Sequence, residues 1–376
     1  MTAPETAEST TAWNELLDTL RDLDKNFLEG DRAVQDDRHL ADGYRQLATT
    51  LGVAFDTYLF AEPSRPFFVE LNNPFRRDRR WGGDNTDAFY RLAVVSPDRR
   101  YRISGNKGDA IYFAITGYNE PSPGAWSDKV VLHKHDSDMD VDENGDFSFE
   151  IGPVPEIAAI VTRDYQLDAE SGRPVSWSIE ALEDPDPIRH GDEETAAALR
   201  ASAAWLRTMF MIIPLTIGVR ADEQQTEGHE IANAANTMGP PYQVPDANFG
   251  WSARDACYSF GGYDLAEDEA LVITHRPPDV RFWSFCVWNQ YMANHSAGDG
   301  RTSVNIATAV PNADGTVTVV VSHGPSAHPN ALSTMDYPRG NLAFRWFLPD
   351  HVPEPPTVEL VKLADAPTTT ADSSAI

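Results

Sequence analysis

Short apolar runs separated by turn residues dominate this chain and restrict it to a fold rich in β-strands. From about Phe67 the runs are YRLAVVS, YRISG, AIYFAITGY, KVVLHKH, FSFEIG, IAAIVTRDYQL and VSWSIEAL. After residue 250 come CYSFGGYDL, ALVITHRP, VRFWSFCVWN, SVNIATAVP, TVTVVVSH, NLAFRWFLP and VELVKL. Strand signals at spacings of about 8–12 residues predict β-sandwiches or barrels.

Three other segments have the period of an α-helix. Apolar residues recur at helical spacing in residues 13–27 and 40–55, and residues 195–213 are rich in Ala and Leu. Thr10 or Thr11 is a candidate N-cap for the first helix. The acidic, Pro-containing stretch EDPDPIRHGDEE precedes the third helix and indicates a boundary.

These patterns predict a mainly β protein with helical additions. Two antiparallel β-sandwich domains, the C-terminal one jelly-roll-like, are joined by a helical segment. The predicted parts are N-terminal amphipathic helices at 1–60, a first β-sandwich domain at 61–185, a helical linker at 190–240, a jelly-roll-like domain at 241–363 and a disordered tail at 364–376.

Charge and composition exclude several classes of partner. With 30 basic and 58 acidic residues the formal net charge is −28, which repels nucleic acid and anionic membranes. The apolar stretch 203–219 is short for a membrane span and contains Arg207 and Pro214. No signal-like start is visible, and the two cysteines cannot form a disulfide framework, so we expect a cytoplasmic protein.

Four segments of the sequence carry a recognisable pattern: DNTDAFYRLAVVSPDRRYRISGNKGD, with an Asp-x-x-Tyr strand, DVDENGDFSFEIG, TRDYQLD with Arg-x-Tyr, and AEDEALVITHRPPDVRFWSFCVWNQY with the strands after it. Over roughly residues 85–346 the sequence therefore resembles the domain-of-unknown-function 1214 family. The resemblance implies β-sandwich domains and no established activity. Where the family has Trp, Asp and His in one loop, this chain has Ala331, Ser333 and Tyr337, which predicts a different ligand.

A polar and aromatic cluster in the C-terminal half is the main candidate ligand site. Large aromatic side chains with a few polar groups are typical of small-molecule clefts, although core packing is the alternative. The candidate ligand-binding residues are Trp283, Trp288, Asn289, Tyr291, Arg301, Asn305, Asn330, Arg339, Arg345 and Tyr258.

Acid/base groups lie close to this cluster in the sequence. His323, Asp336 and Tyr337, together with His295, are the candidate catalytic residues, because imidazole titrates near neutral pH and a carboxylate can fix its tautomer. A structural or solvated role is the alternative for each of them.

Other polar groups have simpler interpretations. His133 and His135 lack further metal ligands at the expected spacing. Residues 140–146 (DVDENGD) indicate a hairpin turn rather than a calcium loop. The arginines of RRDRR (residues 76–80) are expected to form ion pairs within the chain or across a subunit contact. No cofactor-binding motif occurs, so we predict neither a cofactor nor a metal.

Three functions follow from these features. The first is a cofactor-independent enzyme of hydrolase or lyase type that acts on a small, largely apolar molecule. The second is a non-catalytic protein that binds or sequesters such a molecule. The third is a structural subunit, and a homo-oligomer is left open in each case.

Overall fold

The computed structural model describes residues 6–25, 37–187, 190–212, 231–245, 250–294 and 300–371. It contains helices α1 (Glu8–Leu23), α2 (Asp37–Ala54), which continues into a π-helical turn (Phe55–Leu59), and α3 (Asp192–Ile212). The strands of the first half are β1 (Val69–Asn72), β2 (Ala88–Val94), β3 (Tyr101–Asn106), β4 (Tyr112–Asn119), β5 (Val130–His135), β6 (Asp146–Ile151), β7 (Ile157–Tyr165) and β8 (Ser176–Ala181). The strands of the second half are β9 (Ile231–Ala235), β10 (Thr237–Met238), β11 (Tyr242–Gln243), β12 (Ala256–Asp264), β13 (Glu269–His275), β14 (Phe282–Trp288), β15 (Ser303–Asn305), β16 (Val317–Ser322), β17 (Ala331–Ser333), β18 (Arg339–Phe347) and β19 (Thr357–Lys362).

The first eight strands form two antiparallel sheets that face each other. One sheet has the order β1-β2-β7-β4-β5 and the other β6-β3-β8. Apolar side chains from both, including Ile103, Phe113, Ile115 and Ile160, form a buried core between them. We call this unit the N-terminal sandwich.

The remaining strands form the C-terminal sandwich. Its larger sheet has the order β10-β12-β18-β14-β15, with β9 and β11 also paired to β12, and its smaller sheet has the order β17-β16-β13-β19. The pairs β9–β12 and β16–β17 are parallel, and the other pairs are antiparallel. Trp283, Phe285, Phe344 and Trp346 pack in the core between these sheets.

A third core joins the two sandwiches and the helices. It contains residues of the N-terminal sandwich such as Tyr90 and Tyr165, residues of the C-terminal sandwich such as Phe282 and Phe347, and Leu16 of α1. The five- and seven-stranded sheets are therefore covered on both faces. This explains why every residue of β14 is buried and why its sequence shows little polar alternation.

The helices pack together through a contact that is distant in sequence. The Asp192 carboxylate at the start of α3 accepts hydrogen bonds from the backbone N–H groups of Glu8 (2.7 Å) and Ser9 (3.1 Å). The expected N-cap at Thr10 or Thr11 is wrong, because α1 begins at Glu8 and a neighbouring helix satisfies its first donors.

The prediction of a mainly β fold with antiparallel sheets and helical additions is confirmed. The predicted linker at 190–240 includes α3, but β9 and β10 belong to the seven-stranded sheet, and residues 213–230 lie outside the described residues. Of the predicted disordered tail, Ala366 is buried and the Ala371 N–H donates to the Asn312 side chain at 3.1 Å, while residues 372–376 lie outside the described residues. The described helices include none with the length and apolar character needed to cross a membrane.

Candidate ligand site between the two sandwiches

The outer faces of the two large sheets meet through aromatic side chains. The Tyr165 ring of β7 lies 4.2 Å from the Phe347 ring of β18 and 5.6 Å from the Phe282 ring of β14, measured between centroids. Tyr112 of β4 also lies 5.8 Å from Phe347. Buried polar side chains of both sandwiches lie beside this aromatic contact, between the two sheets.

Each sandwich contributes one arginine and one tyrosine that are cross-strand neighbours. Arg163 of β7 is paired with Tyr90 of β2, and Arg345 of β18 is paired with Tyr258 of β12. All four are buried. We call these four residues the arginine–tyrosine centre.

The Arg163 guanidinium is held by neutral oxygen atoms. It donates to the Tyr118 hydroxyl at 3.0 Å, to the Thr116 hydroxyl at 3.4 Å and to the backbone carbonyl of Trp251. Its Cζ lies 5.6 Å from the Tyr90 ring centroid. The Trp251 contact connects this N-terminal arginine to the C-terminal half of the chain.

The Arg345 guanidinium is held in a similar way from the other sandwich. It donates to the backbone carbonyl of Gly83, and its Cζ lies 4.7 Å from the Trp288 ring centroid and 5.9 Å from that of Tyr258. Gly83 belongs to the loop before β2, which therefore crosses from the N-terminal sandwich to the C-terminal one. The Trp288 indole N–H donates to the Asp84 carbonyl of the same loop at 2.8 Å.

Both guanidiniums act on the same phenols. Burial raises the pKa of Tyr90 to about 12, and the charges of Arg345 and Arg163 oppose this rise. Burial likewise raises the pKa of Tyr258, and the same two charges oppose it. The geometry agrees, because Arg163 donates to the Trp251 carbonyl and the Tyr258 hydroxyl accepts from the Ala253 N–H of the same loop at 3.1 Å. The two arginines therefore lie close to one common region.

Part of this region remains accessible to water. Tyr90 and Tyr258 each expose 8% of their surface, Arg163 6% and Arg345 4%, whereas Tyr118 beside them exposes 0%. Side chains in the middle of a sheet that is covered on both faces are normally close-packed. The four residues of the centre are therefore buried but slightly less enclosed than Tyr118.

Asp87 lies at one margin of the centre, in the turn before β2. Burial raises its pKa to about 7, against the opposing effects of the Asn305 amide and the Arg345 charge. Among the described residues its Oδ2 atom has no hydrogen-bond partner. A buried carboxyl of this kind holds or releases a proton near neutral pH.

A second buried carboxyl lies near Arg163. Thr116 Oγ1 accepts from Arg163 and lies 3.2 Å from His133 Nδ1, and His133 Nε2 lies 3.7 Å from Asp255 Oδ2. Burial lowers the pKa of His133 to about 4 and raises that of Asp255 to about 7. Asp255 thus reaches Arg163 only through two intervening side chains.

A family comparison identifies part of the C-terminal sandwich. Residues 263–351 match the DUF1214 family, described as a protein of unknown function. The resemblance predicted from the sequence is thereby confirmed for this segment, which extends from the end of β12 to just beyond β18.

The fold is similar to that of solved structures. The chain aligns with an uncharacterised protein from Burkholderia cenocepacia at a TM-score of 0.84 and 22% identity, over 95% of this chain and 98% of that one. A protein from Vibrio parahaemolyticus aligns at a TM-score of 0.48 and 13% identity, over 85% of this chain and 98% of that one. No curated protein matches the chain.

Three predicted ligand-binding residues meet at the centre: Arg345 and Trp288 of the DUF1214 segment, and Tyr258 just before it. Asn305 lies beside Asp87 at the margin, and its amide donates to the Leu167 carbonyl at 3.1 Å. Arg301 also acts electrostatically on Asp87, although its own N–H groups donate to the carbonyls of Pro329 and Thr308.

Other predicted ligand-binding residues lie elsewhere. Trp283 is on the opposite face of β14 from Trp288, in the core of the C-terminal sandwich. Trp283 and Trp288 therefore do not line one pocket, because their positions differ by an odd number and side chains alternate along a strand. The remaining four make hydrogen bonds away from the centre: Asn289 in its own turn, Tyr291 to the His39 carbonyl, Asn330 to the backbone of Val310 and Thr318, and Arg339 to Asp264.

The predicted catalytic residues do not converge with the centre. His323 Nε2 donates to the Leu265 carbonyl at 2.9 Å, so its Nδ1 accepts from the Thr334 hydroxyl at 2.8 Å. Tyr337 donates to Asp42 of α2 and lies beneath the Arg38 guanidinium, at 3.8 Å from ring centroid to Cζ. Asp336 is exposed, and His295 lies outside the described residues.

Asp87, Tyr90, Arg163 and Tyr165 are not among the site residues predicted from the sequence. They occupy the Asp-x-x-Tyr and Arg-x-Tyr motifs on which the family resemblance depends, so the motifs contained the signal. Each motif precedes or lies within a β-strand that is mostly apolar, and this favours burial of its polar members.

The structure also bears on metal binding. Within the described ranges, no three His, Cys, Asp or Glu side chains are arranged to hold a metal ion. The turn at 142–146 is held by the Asp142 carboxylate, which accepts from the N–H groups of Asn144 (2.8 Å) and Asp146 (2.9 Å). Arg76, Arg79 and Arg80 form ion pairs within the chain, as the sequence predicts.

Proposed function

We propose that this protein binds a small organic molecule between its two β-sandwiches, at the arginine–tyrosine centre. The observation that carries the proposal is the pair of buried Arg–Tyr neighbours, one from each sandwich, whose four residues are each 4–8% exposed. Buried polar groups among aromatic walls are the usual composition of a small-molecule site. Non-catalytic binding is the function that this geometry supports best.

The aromatic residues around the centre favour an organic guest. Tyr165, Phe282 and Phe347 form a continuous aromatic contact beside the guanidiniums. Burial of apolar ligand surface against such rings supplies affinity, and the polar groups fix the orientation of the ligand.

Mass spectrometry of the native full-length protein and a thermal-shift screen of neutral, anionic and cationic small molecules test this proposal. Tyr258→Phe removes a hydroxyl at the centre, whereas Tyr263→Phe removes one from the same strand but on the opposite face, in the C-terminal core. We expect Tyr258→Phe to weaken binding by about tenfold and Tyr263→Phe to leave it nearly unchanged. The proposal fails if no compound co-purifies or binds, or if both variants bind equally well.

A second candidate function, cofactor-independent acid/base catalysis, is favoured by Asp87. Its pKa of about 7 suits a general acid or base, and its Oδ2 has no hydrogen-bond partner in the described part of the chain. The Asp87→Asn variant should then still bind the substrate but lose at least about 100-fold in turnover. Unchanged turnover in this variant excludes Asp87 as the catalytic group.

A further inference from the structure

We infer that the molecule bound between the sandwiches is a small organic anion, whose oxyanion group lies between the guanidiniums of Arg163 and Arg345. This inference rests on the proposed function and adds the chemical class of the ligand. Carboxylate, sulfonate and phosphate monoester groups share the chemistry that two guanidinium groups recognise.

Other buried or half-buried arginines of this chain form ion pairs with carboxylates. Arg80 is buried and pairs with Asp84 at 2.9 Å, and Arg91 pairs with buried Asp164 at 3.4 Å. Arg163 and Arg345 are equally buried, yet neither has a carboxylate within ion-pair distance among the described residues. A buried arginine normally has an anionic partner, so the unpaired guanidiniums identify where an external anion is stabilised.

The buried carboxyls near the arginine–tyrosine centre do not supply the missing negative charge. Burial raises the pKa of both Asp87 and Asp255 to about 7, so each is only partly ionised at neutral pH. Asp255 is separated from Arg163 by His133 and Thr116. The arginine–tyrosine centre therefore keeps an excess of positive charge, although the whole chain has a net charge of −28.

The two guanidiniums also have N–H donors that their contacts within the protein do not use. The contacts of Arg163 are to one carbonyl and two hydroxyls, and those of Arg345 are to the Gly83 carbonyl and, at 4.0 Å, to the Cys286 sulfur. A guanidinium has five N–H donors, more than these contacts use. Cation–π contacts with Tyr90, Tyr258 and Trp288 orient the groups without neutralising them.

The aromatic surroundings of the two guanidiniums indicate an organic rather than an inorganic anion. The guanidiniums are flanked by tyrosine rings, and the aromatic contact of Tyr165 with Phe282 and Phe347 lies beside them. A hydrated inorganic ion would gain nothing from these rings, whereas the apolar part of an organic anion is desolvated against them.

Matched compounds that differ only in charge test the inference. Phenylacetate, phenylacetamide and phenethylamine form one series, hexanoate, hexanamide and hexylamine form another, and phenyl phosphate, benzenesulfonate and inorganic phosphate compare the oxyanion groups. Affinity for the full-length protein is measured by calorimetry or thermal shift. We expect the anionic members to bind at least about tenfold more tightly than the amides and amines, and phenyl phosphate to bind more tightly than inorganic phosphate.

Substitution of the arginines connects this preference to the site. Arg163→Met and Arg345→Met should each weaken anion binding by about 10- to 100-fold, and the Lys variants, which keep the charge but lose the planar fork, by a smaller factor. The control is Arg102→Met, because Arg102 is exposed and forms ion pairs with Glu150 and Glu180. If a Met variant does not fold, the corresponding Lys variant decides the test.

The outcomes separate this inference from the proposed function. If the amides bind as tightly as the acids and Tyr258→Phe still weakens binding, the ligand does not have to be an anion. The inference is then overturned, and the proposed binding site is kept. Anion binding that survives both arginine substitutions, or inorganic phosphate that binds as tightly as phenyl phosphate, also overturns the inference. Failure of every neutral and charged compound to bind overturns the proposed function itself.

Discussion

The Arg345 guanidinium lies over the Trp288 ring, with its Cζ 4.7 Å from the ring centroid, and both residues hold the backbone of one loop. Arg345 donates to the Gly83 carbonyl, and the Trp288 N–H donates to the Asp84 carbonyl. This loop belongs to the N-terminal half of the chain, so the position of Arg345 in the C-terminal sandwich depends on both halves.

Substitution of Gly83 should disturb this arrangement. Gly83 has φ +76°, and a Cβ atom there would lie 3.2 Å from the Trp288 ring and 3.5 Å from the Arg345 guanidinium. We expect Gly83→Ala to weaken ligand binding by about tenfold and to lower the free energy of unfolding by about 1–3 kcal/mol.

Gly82→Ala is the matched control for this substitution. Gly82 has a similar φ of +63°, but a Cβ atom there would meet no heavy atom within 4 Å. The backbone strain is therefore shared by both variants, and only Gly83→Ala should change ligand affinity in a calorimetric titration. Equal affinities would show that the loop does not position Arg345.

His323 should contribute to stability rather than to ligand binding. Both of its ring nitrogens are engaged, with the Leu265 carbonyl and the Thr334 hydroxyl. We expect His323→Ala to lower the free energy of unfolding by about 1–3 kcal/mol in chemical denaturation, with ligand affinity unchanged. Thr334→Val should lower the free energy of unfolding by a smaller amount. The double variant should show energetic coupling between the two sites. A loss of binding or turnover without a loss of stability would instead support a catalytic role for His323.

His275 should make the protein sensitive to acid. It is buried between the Phe344 and Trp283 rings, and neither ring nitrogen has a hydrogen-bond partner among the described residues. Burial lowers its pKa to about 3, so the unfolded chain binds a proton on this residue before the folded one does. Its contribution to stability is therefore complete above its usual pKa and is lost as the pH falls towards 3.

The His275→Phe variant measures this effect. Between pH 7 and pH 4 the wild-type protein should lose about 3 kcal/mol through His275, and the variant should not. Denaturant unfolding at several pH values gives both curves. His351→Phe replaces an exposed imidazole and controls for the substitution. Parallel curves for wild type and His275→Phe would contradict the prediction.

Asp87 should make anion binding depend on pH. Its pKa is raised to about 7, so it becomes charged as the pH rises through that value, and its negative charge then opposes a bound anion near Arg345. We expect the affinity for phenylacetate to fall by roughly threefold to tenfold between pH 6 and pH 8.5. In Asp87→Asn this fall should disappear, which calorimetry across the range would establish. Affinity that rises with pH would contradict this assignment.

Much of the fold could be predicted because strand periodicity and helical periodicity are local. The strands from β2 to β8 and the longer C-terminal strands coincide with apolar runs between turn signals. The strands β9, β10, β11 and β17 have between two and five residues and could not be predicted, because they exist only through pairing with β12 or β16.

The candidate site was harder to predict, because it is made by two regions that are distant in sequence. Arg345 and Tyr258 were selected for their residue types, but their partners Arg163 and Tyr90 lie more than a hundred positions earlier. No local pattern reports that the outer faces of two sheets meet. His323 and Tyr337, which the sequence predicts as catalytic residues, bind Thr334 and Asp42 of helix α2, respectively.

The match to DUF1214 at residues 263–351 ends before β19 and begins at the end of β12. β12 is hydrogen-bonded to β18 along its whole length, and β19 pairs with β13. A fragment limited to residues 263–351 would lack most of β12 and all of β19. It would expose two sheet edges and the face that carries Arg345. The unit recognised by its sequence is therefore smaller than the unit that can fold, and expression trials should keep the chain whole.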